Sequence, residues 1–463
     1  EGLYDAEFVE NWTEGFEDYR AYVEAFSPPV TEQITGVPAD LMVKAARLYA
    51  TTKPAAMNFS ANALTHHTNG LQNQRASSAL IGLTGNMDRK GGNHAIPPSY
   101  YHVPAAIPDR YEELALPRPW EKMAPRVGLD IHPVFCKLVN EAQSMHLPFQ
   151  IRSKKPYPIR AVVGFGMNYR MWPGSDFMRE SLKKLDFFMD VDLFMTDTAK
   201  MADLVLPACT SFERSELKIY PQQYVIWTEP VIKPLGESRS DADIIQGMAK
   251  SLKINDPLLL KGHKAWIEWM LKPAGIKMSE LEKKAGQYLF KGPGPIPYDK
   301  YKNGGFHTPS GKMEFSSNVL KEFGLDPLPT FREPELSPLS TPDVAKKFPL
   351  ILTTGARLPM FVHSQTFRVP WDKSLRPNHP AADINPQDAE KRGISHGDEM
   401  MLLTRRSSIK VKANLTEIVP PGVVSMYHAF PTADVNLIID ADYRDPISGF
   451  PGFKALLCDI KKA

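Results

Sequence analysis

The stretches IRAVVGFGMNYR (159–170) and DFFMDVDLFMTDTAKMADLVLPA (186–208) decide the fold of this chain of 463 residues. The first stretch places β-branched apolar residues before two glycines, which predicts a strand that ends in a tight turn. An amphipathic helix is predicted over 176–184, and two further apolar runs follow over 187–195 and 202–208. Strand, helix, strand and strand in this order predict an α/β fold with a doubly wound parallel sheet.

The segments outside this core differ in their patterns of apolar residues. Apolar residues recur at helical spacing over 1–55, and a further helix is predicted from Asn73 to Leu83. Residues 251–341 have weak periodicity, which is typical of a connecting or capping region. After Pro342 the pattern changes to short strands and turns, which predicts a C-terminal β-barrel. We therefore predict four segments, with the boundaries 1–55, 56–250, 251–341 and 342–463.

The composition limits the class of protein. The chain is 43% hydrophobic, so it has enough apolar residues for sizeable cores and is not disordered. Its 55 basic and 53 acidic residues nearly balance, and no run of Lys and Arg is dense enough for a nucleic-acid surface. No apolar run reaches the roughly 18 residues that span a bilayer. We therefore predict neither a nucleic-acid partner nor direct insertion into a membrane.

The three cysteines, Cys136, Cys209 and Cys458, lie far apart and form no C-x-x-C pair. Paired spacing is what an iron–sulfur cluster or a cysteine-rich zinc site requires, so we assign no metal ligand within this chain. Each cysteine is instead predicted to be a free, buried thiol.

Glycines and an aspartate occur where the predicted strands end. Gly164 and Gly166 would let the backbone approach a phosphate, although a tight turn without a ligand explains them equally well. Tyr169 stands where the dinucleotide fingerprint requires a third glycine, which disfavours a nicotinamide site. Asp192 ends a strand, where its carboxylate can accept hydrogen bonds from a guanine edge or a ribose. The alternative is that this aspartate caps the helix predicted to begin near Thr198.

Several collinear blocks of the sequence carry a resemblance to one family. Residues 192–207 fit the pattern D-x-F-x-T-[DE]-T-A-x-x-A-D-x-V-L-P. The other blocks are THHTNGLQNQRASSALIGLTGNMDRKGGN (65–93), ILTTGARLPMFVHSQTFR (351–368), INPQDAEKRGISHGDEM (384–400) and DPISGFPGFKALLC (445–458). In this order they resemble the C-terminal part of the molybdenum- or tungsten-dependent pterin enzymes of the dimethyl-sulfoxide-reductase family. The HSQTFR form of the barrel block looks closest to the acetylene-hydratase-like branch and to the reductases of sulfur or arsenic compounds.

The resemblance implies a bis-molybdopterin guanine dinucleotide cofactor, in which the dithiolenes of two pyranopterins hold Mo or W. By motif position, one guanosine diphosphate arm is expected to contact Gly164, Gly166, Asn168, Asp192, Thr196 and Asp197. The barrel is expected to be double-psi-like, with pterin and phosphate contacts from Thr354, Gly355, Arg357, His363, Ser364, Gln365, Asn436, Phe453 and Lys454. His66 and His67 match the stretch near the metal and are the candidate catalytic residues. The alternative for both histidines is a purely structural hydrogen-bonding role.

In that family, an iron–sulfur cluster motif, a protein ligand to the metal and a first nucleotide-binding domain precede the region that this chain resembles. The resemblance therefore implies that an N-terminal segment or partner chain carries the cluster and the metal ligand, with an electron-transfer subunit as a further partner. Residues 1–55 would be the helical tail of that first domain, and 56–250 would be a guanine-nucleotide-binding domain. We expect Leu41, Val43 and Leu48 to be exposed unless the preceding segment or a partner covers them.

The resemblance implies an oxidoreductase that catalyses two-electron or oxygen-atom-transfer chemistry on a small substrate. Two alternatives are a non-redox hydratase or hydroxyl transferase, in which the same cofactor activates water, and a non-catalytic half that completes a partner's site. Exchange of electrons with a donor or acceptor separates the first alternative from the oxidoreductase. Formate oxidation is disfavoured, because Gly91-Gly92 leads into NHAIPPSYYH and not into the arginine-containing run of formate dehydrogenases.

Overall fold

The structure is a computed structural model that describes residues 1–58, 64–94, 124–220, 224–286, 288–290, 298–355, 379–428 and 430–463. Its α-helices, numbered in chain order, are α1 (Ala6–Trp12), α2 (Phe16–Val23), α3 (Pro28–Thr35), α4 (Ala39–Thr51), α5 (Gly70–Leu83), α6 (Pro133–Leu138), α7 (Leu147–Ser153), α8 (Ser175–Leu182), α9 (Asp241–Ser251), α10 (His263–Leu271), α11 (Met278–Lys283), α12 (Asn318–Glu322), α13 (Pro342–Lys347) and α14 (Pro386–Glu390). The strands form a parallel sheet, an antiparallel sheet and a closed barrel, and Thr13–Glu14 pairs separately with Met313–Glu314.

The parallel sheet has three strands in the order β1 (Ala161–Phe165), β2 (Phe187–Asp192) and β3 (Leu204–Pro207). Helices α7 and α8 cover one face, where Phe188 is buried in a cluster with Met178. Helix α9 covers the other face, where Val191 is buried in a cluster with Ile244. Successive side chains of β2 therefore point to helices on opposite faces. The predicted doubly wound α/β fold is confirmed, and Asp192 lies at the carboxyl end of its strand.

The antiparallel sheet contains β4 (Glu216–Tyr220), β5 (Tyr224–Thr228) and β6 (Tyr288–Phe290), with β5 in the centre. Val225 and Trp227 of β5 are fully buried against side chains of α10 and α11, including Ile267 and Leu281. Strand β6 lies beyond residue 250 in sequence, so this sheet joins residues from both sides of the boundary predicted there. The segment boundaries themselves remain predictions.

The closed barrel has six strands in the order β8-β10-β9-β12-β7-β11. Their bounds are β7 (Leu350–Gly355), β8 (Ala381–Ile384), β9 (Glu399–Leu403), β10 (Ser408–Leu415), β11 (Val423–Tyr427) and β12 (Leu456–Lys462). Leu352, Ile384, Met400 and Met426 are fully buried inside it, because every second side chain of each strand points inward. The predicted barrel is confirmed. The sequence pattern predicts strands over 349–355, 399–406, 408–416 and 422–430, so β8 and β12 were not predicted.

The N-terminal helices leave apolar side chains exposed. Leu41 is 53% exposed and Leu48 is 66% exposed, while Val43 is half-buried. Within the described helices α2, α3 and α4, no residue is buried. The exposure expected for Leu41 and Leu48 is thus confirmed, whereas contact of residues 1–90 with another polypeptide segment stays a prediction. In the described part of the chain, no helix is long and apolar enough to cross a membrane.

Candidate cofactor site

Two groups of residues form the candidate site. We call residues 164–168 and 192–198 the sheet edge, because they comprise the last residues of β1 and β2 and the loops that follow, at the carboxyl end of the parallel sheet. We call the second group the barrel end, formed by His66, His67, Thr354, Gly355, Phe453 and Lys454. Both groups come from the residues that the sequence singled out.

The two glycines of the sheet edge differ in backbone conformation and in the space around them. Gly166 has a φ of +59°, its N–H donates to the carbonyl of Val191 at 2.8 Å, and nothing lies within 4 Å of where a side chain would begin. A Cβ at Gly164 would lie 2.9 Å from Cβ of Met167 and 3.1 Å from Oδ1 of Asp190. Gly164 therefore allows close packing beneath the loop, while Gly166 is favoured by its positive φ and faces open space.

Asn168 and Asp192 each stabilise the first turn after a strand. The Oδ1 of Asn168 accepts a hydrogen bond from the N–H of Arg170 at 3.1 Å, at the start of the short 3₁₀-helix Tyr169–Met171. The Oδ1 of Asp192 accepts from the N–H of Phe194 at 3.0 Å. Each carboxylate or amide keeps further acceptor or donor capacity, so a local role and a nucleotide contact are compatible.

The loop after β2 is tied to the loop after β1. The Oγ1 of Thr196 accepts from the N–H of Ala199 at 3.0 Å, and the Oγ1 of Thr198 accepts from the N–H of Tyr169 at 3.2 Å. Asp197 accepts from Arg170 at 2.8 Å, and this hydrogen bond lowers the pKa of the Asp197 carboxyl. The structure thus brings together all six residues predicted for the guanosine diphosphate arm, on two adjacent loops.

Asp190 is a member of this region that the sequence did not single out. It is fully buried below Gly164, and neither carboxylate oxygen has a hydrogen-bond partner of good geometry among the described residues. Burial first, and then the nearby Asp192, raises the pKa of Asp190 to about 6, although the backbone amides of Met167 and Val191 act in the opposite direction. The alternation of β2 could have revealed it, because Asp190 and Asp192 point to the same face.

The barrel end forms where β7 ends. The N–H of Thr354 donates to the carbonyl of Phe453 at 3.0 Å, and the Nζ of Lys454 donates to the carbonyl of Thr354. The N–H of Lys454 donates in turn to the carbonyl of His66 at 3.3 Å. The ring of His66 contacts Phe453 edge to face, with centroids 5.3 Å apart. These residues are distant in sequence, so the barrel is what brings the histidine pair to the predicted pterin contacts.

The electrostatics of the barrel end are those of a half-buried basic cluster. Burial lowers the pKa of Lys454, and no ion pair joins it to a carboxylate among the described residues. Burial first, and then Lys454 and His67, lowers the pKa of His66 to about 4. Burial and Lys454 also lower the pKa of His67. His66 is therefore neutral near pH 7, beside an ammonium group that lacks an anionic partner among the described side chains.

His428 also borders the barrel end and was missed by the sequence analysis. It follows β11, and its backbone N–H donates to the carbonyl of Gly355 at 3.1 Å. Strand β11 pairs with β7 in parallel, with Tyr427 opposite Gly355. Only this register brings His428 to Gly355, and sequence spacing does not determine the register.

The remaining predicted residues lie elsewhere. Arg357, His363, Ser364 and Gln365 lie outside the described residues. Asn436 is buried between the parallel sheet and the barrel, where its Nδ2 donates to the carbonyl of Arg170 at 2.5 Å. The three cysteines are free and buried, as predicted, and burial raises the pKa of each thiol.

Comparison with known proteins identifies the class to which this fold and these residues belong. Residues 39–251 match the family model of molybdopterin oxidoreductases, and residues 350–457 match that of the molydopterin dinucleotide binding domain. The first match contains the whole sheet edge and the histidine pair, and the second contains the rest of the barrel end. The chain thus contains a molybdopterin oxidoreductase region and a molydopterin dinucleotide binding domain, in agreement with the family that the sequence motifs indicated.

The similar proteins are considerably longer than this chain. It is 27% identical to the acetylene hydratase of Syntrophotalea acetylenica over 92% of this chain and 60% of the relative. It is also 27% identical to the F420-dependent formate dehydrogenase subunit alpha of Methanocaldococcus jannaschii, over 100% of this chain and 66% of the relative. The solved structure of an acetylene hydratase from Pelobacter acetylenicus has a TM-score of 0.84 at 23% identity, covering 100% of this chain and 68% of that one. This last likeness establishes the shared fold.

Proposed function

We propose that this chain holds pterin guanine dinucleotides and takes part in two-electron or oxygen-atom-transfer chemistry on a small substrate. The observation that carries this proposal is the combination of a nucleotide-type sheet edge and a basic barrel end in one chain, in which the segment that follows the first sheet loop is hydrogen-bonded to the barrel region through Arg170 and Asn436. An elongated anionic ligand with a guanine nucleotide at one end matches both regions.

The chemistry of the residues fits such a ligand. Lys454 is a half-buried ammonium group without a described anionic partner, and a diphosphate or a dithiolene would supply the negative charge that it lacks. At the sheet edge, Gly166 faces open space, which leaves room for a phosphate beside the loop. The carboxylate of Asp192 is suited to accept hydrogen bonds from a guanine.

When bound, molybdenum or tungsten would supply the redox chemistry, and the protein would supply orientation, charge and a dry surface. His66 and His67 are our candidates for contact with the substrate. A neutral imidazole can donate a hydrogen bond from one ring nitrogen and accept one at the other, so it can hold a substrate proton. Phe450 and Phe453 lie beside His66 and reduce its contact with water.

A non-redox hydratase is a second candidate, and the neutral state of His66 favours it. With its pKa lowered to about 4, His66 can act as a hydrogen-bond acceptor for an attacking water at neutral pH. The resemblance to proteins named acetylene hydratase is consistent with this alternative. Net electron flow distinguishes the two, because only an oxidoreductase needs a donor or acceptor.

We further propose that the metal ligand and an iron–sulfur cluster come from an N-terminal segment or partner chain. The relatives with the name subunit alpha support a multi-subunit setting, and the exposed Leu41 and Leu48 offer an apolar surface for such contact. An electron-transfer subunit is a further proposed partner.

Purification of the whole polypeptide or complex that contains this sequence tests the proposal. Metal analysis should detect Mo or W, and acid treatment should release guanine nucleotide in a constant ratio to the metal. Anaerobic assays with formate or acetylene, each with and without an artificial electron acceptor, then compare oxidation with hydration. Preparations that lack both metal and guanine nucleotide would contradict the cofactor proposal. Cofactor-loaded protein without any turnover would favour the non-catalytic alternative.

A further inference from the structure

Arg170 bridges the sheet edge and the barrel with its guanidinium group. Its Nη2 donates to Oδ2 of Asp197 at 2.8 Å, and its Nη1 lies 3.3 Å from Oδ2 of Asp434. Asp197 belongs to the loop after β2, whereas Asp434 precedes the barrel's short 3₁₀-helix Val435–Ile438. The planar fork of an arginine can hold two carboxylates in fixed directions at once.

The backbone around Arg170 makes the same connection. Its carbonyl accepts from Nδ2 of Asn436 at 2.5 Å, and the carbonyl of Asn436 accepts from the N–H of Gly174 at 2.8 Å. Asp434 fixes this turn of the barrel, because its Oδ1 accepts from the N–H of Asn436 at 3.0 Å. The described hydrogen bonds of Asn436 hold the strand-to-helix loop that begins at Asn168, and its expected contact with the pterin stays a prediction.

The burial of the three charged groups increases the effect of the bridge. The side chains of Asp434, Arg170 and Asp197 are 10%, 26% and 37% exposed, respectively. Burial raises the pKa of Asp434 despite the neighbouring guanidinium. Removing the guanidinium would leave the nearly buried carboxylate of Asp434 without its counter-charge. Among the described side chains, it would leave Asp197 paired with the exposed Lys200 alone, whose Nζ lies 3.4 Å from Oδ1 of Asp197.

We infer that Arg170 is a positioning residue that sets the sheet edge, and Asp197 in particular, relative to the barrel, so that one guanine dinucleotide can be held by both. The inference rests on the proposed function. It adds that binding at the sheet edge depends on an aspartate of the barrel, Asp434, that need not touch the ligand. Arg170 thereby couples two regions that are otherwise separate in sequence by more than two hundred residues.

The test compares guanine nucleotide content and unfolding temperature in Arg170→Ala, Arg170→Lys and Arg406→Ala, each in the whole protein or complex. Arg406 is a matched control, since it joins the barrel to α8 by an ion pair with Asp176 at 2.6 Å and donates to the carbonyl of Leu437, but contacts neither loop of the sheet edge. We expect Arg170→Ala to lose about tenfold in retained nucleotide after dialysis, the scale of a charged network contact. Arg170→Lys should recover part of this loss, because lysine restores the positive charge but lacks the planar guanidinium group that reaches both carboxylates.

A double-mutant cycle separates positioning from general destabilisation. Asp434→Asn should lower nucleotide retention in the wild-type background and have no further effect in the Arg170→Ala background. Equal nucleotide loss in Arg170→Ala and Arg406→Ala at equal unfolding temperature, or additive effects in the cycle, would overturn the inference. If wild-type protein itself contains no guanine nucleotide, the proposed function fails first, and the inference fails with it. If Arg170→Ala does not fold, Arg170→Lys and Asp434→Asn supply the same comparison.

Discussion

The sheet edge and the barrel end differ in how far each candidate binding region is formed before a ligand binds. At the sheet edge, Asn168, Thr196 and Asp197 already make hydrogen bonds within the protein, and the adjacent Leu193 and Met195 are 50% and 55% exposed. At the barrel end, a half-buried lysine stands next to two histidines without a described carboxylate partner. The sheet edge is therefore largely formed before a ligand binds, whereas the barrel end lacks negative charge until one does.

This difference predicts opposite responses to pH. The pKa of Asp190 beneath the sheet edge is raised, so the native state resists its ionisation and loses stability as pH rises. The pKa of His66 at the barrel end is lowered, so the native state resists its protonation and loses stability as pH falls from 6.5 towards 4. Binding of an anionic ligand should stabilise mainly the barrel end, because the group without a counter-charge there is a cation, Lys454.

The largest expected effect is that of Asp190→Asn on the free energy of unfolding. The pKa of Asp190 is 3.8 in the unfolded chain and about 6 in the fold, so ionisation destabilises the native state between these two pH values. The variant should be more stable than wild type at pH 7 by up to about 3 kcal/mol and no more stable at pH 3, below the pKa of the unfolded chain. Denaturant unfolding at both pH values measures this. Asp186→Asn, at the exposed residue that precedes β2, is the control, and a gain in stability that is independent of pH would contradict the prediction.

Lys454→Met should have the next largest effect. It should stabilise the cofactor-free protein and weaken the binding of the cofactor. Without cofactor, the variant loses a poorly compensated charge and should unfold at a higher temperature. Its affinity for the cofactor should fall by about 2 kcal/mol, roughly thirtyfold, because the ligand loses a charged hydrogen bond. Metal and pterin content after dialysis measures the affinity, with the exposed Lys461→Met as control. Unchanged content would mean that no anion contacts Lys454.

Asp192→Ala should weaken cofactor retention less than Lys454→Met does. The carboxylate offers an acceptor to guanine, but it is only half-buried, and water replaces it in part. A loss of about 1–3 kcal/mol is expected for a hydrogen bond to a charged group, with the exposed position favouring the lower end. Guanine nucleotide per polypeptide is the measurement, and Asp186→Ala is the control. A normal guanine content in Asp192→Ala would remove this residue from the nucleotide site.

The sequence predicted those parts of the fold in which local pattern and final structure agree. The strands over 161–165 and 187–192 have β-branched or aromatic runs that end in a turn, and both were recognised. Strand β8 was not, because Ala381 and Ala382 favour helices and the strand runs directly into Asn385-Pro386. Its extended form depends on pairing with β10 and β11, which lie later in the chain.

The candidate site was predictable to the extent that it follows family motifs. Those motifs indicated Thr354 and Lys454, which the barrel brings beside His66. They did not indicate Arg170 or Asp434, because an ion pair between residues that far apart has no local signal. His428 was missed for the same reason, since it reaches the barrel end only through the register of β11 with β7.

The smallest expected effect concerns the titration of His66, and it tests the electrostatic account of the barrel end most directly. Partial burial is the first cause of its low pKa and Lys454 is the second, so removing the ammonium should raise the pKa only in part. In Lys454→Met we expect an upward shift of about one unit or less from the wild-type value, because burial persists. The experiment is a pH titration of ¹³C-labelled histidine resonances in cofactor-free protein, with the exposed His307 as internal reference. A wild-type His66 that titrates near 6.5 would contradict the neutral state used in the proposed chemistry. A low pKa that does not change in the variant would instead mean that burial alone sets it and that Lys454 does not act on the histidine.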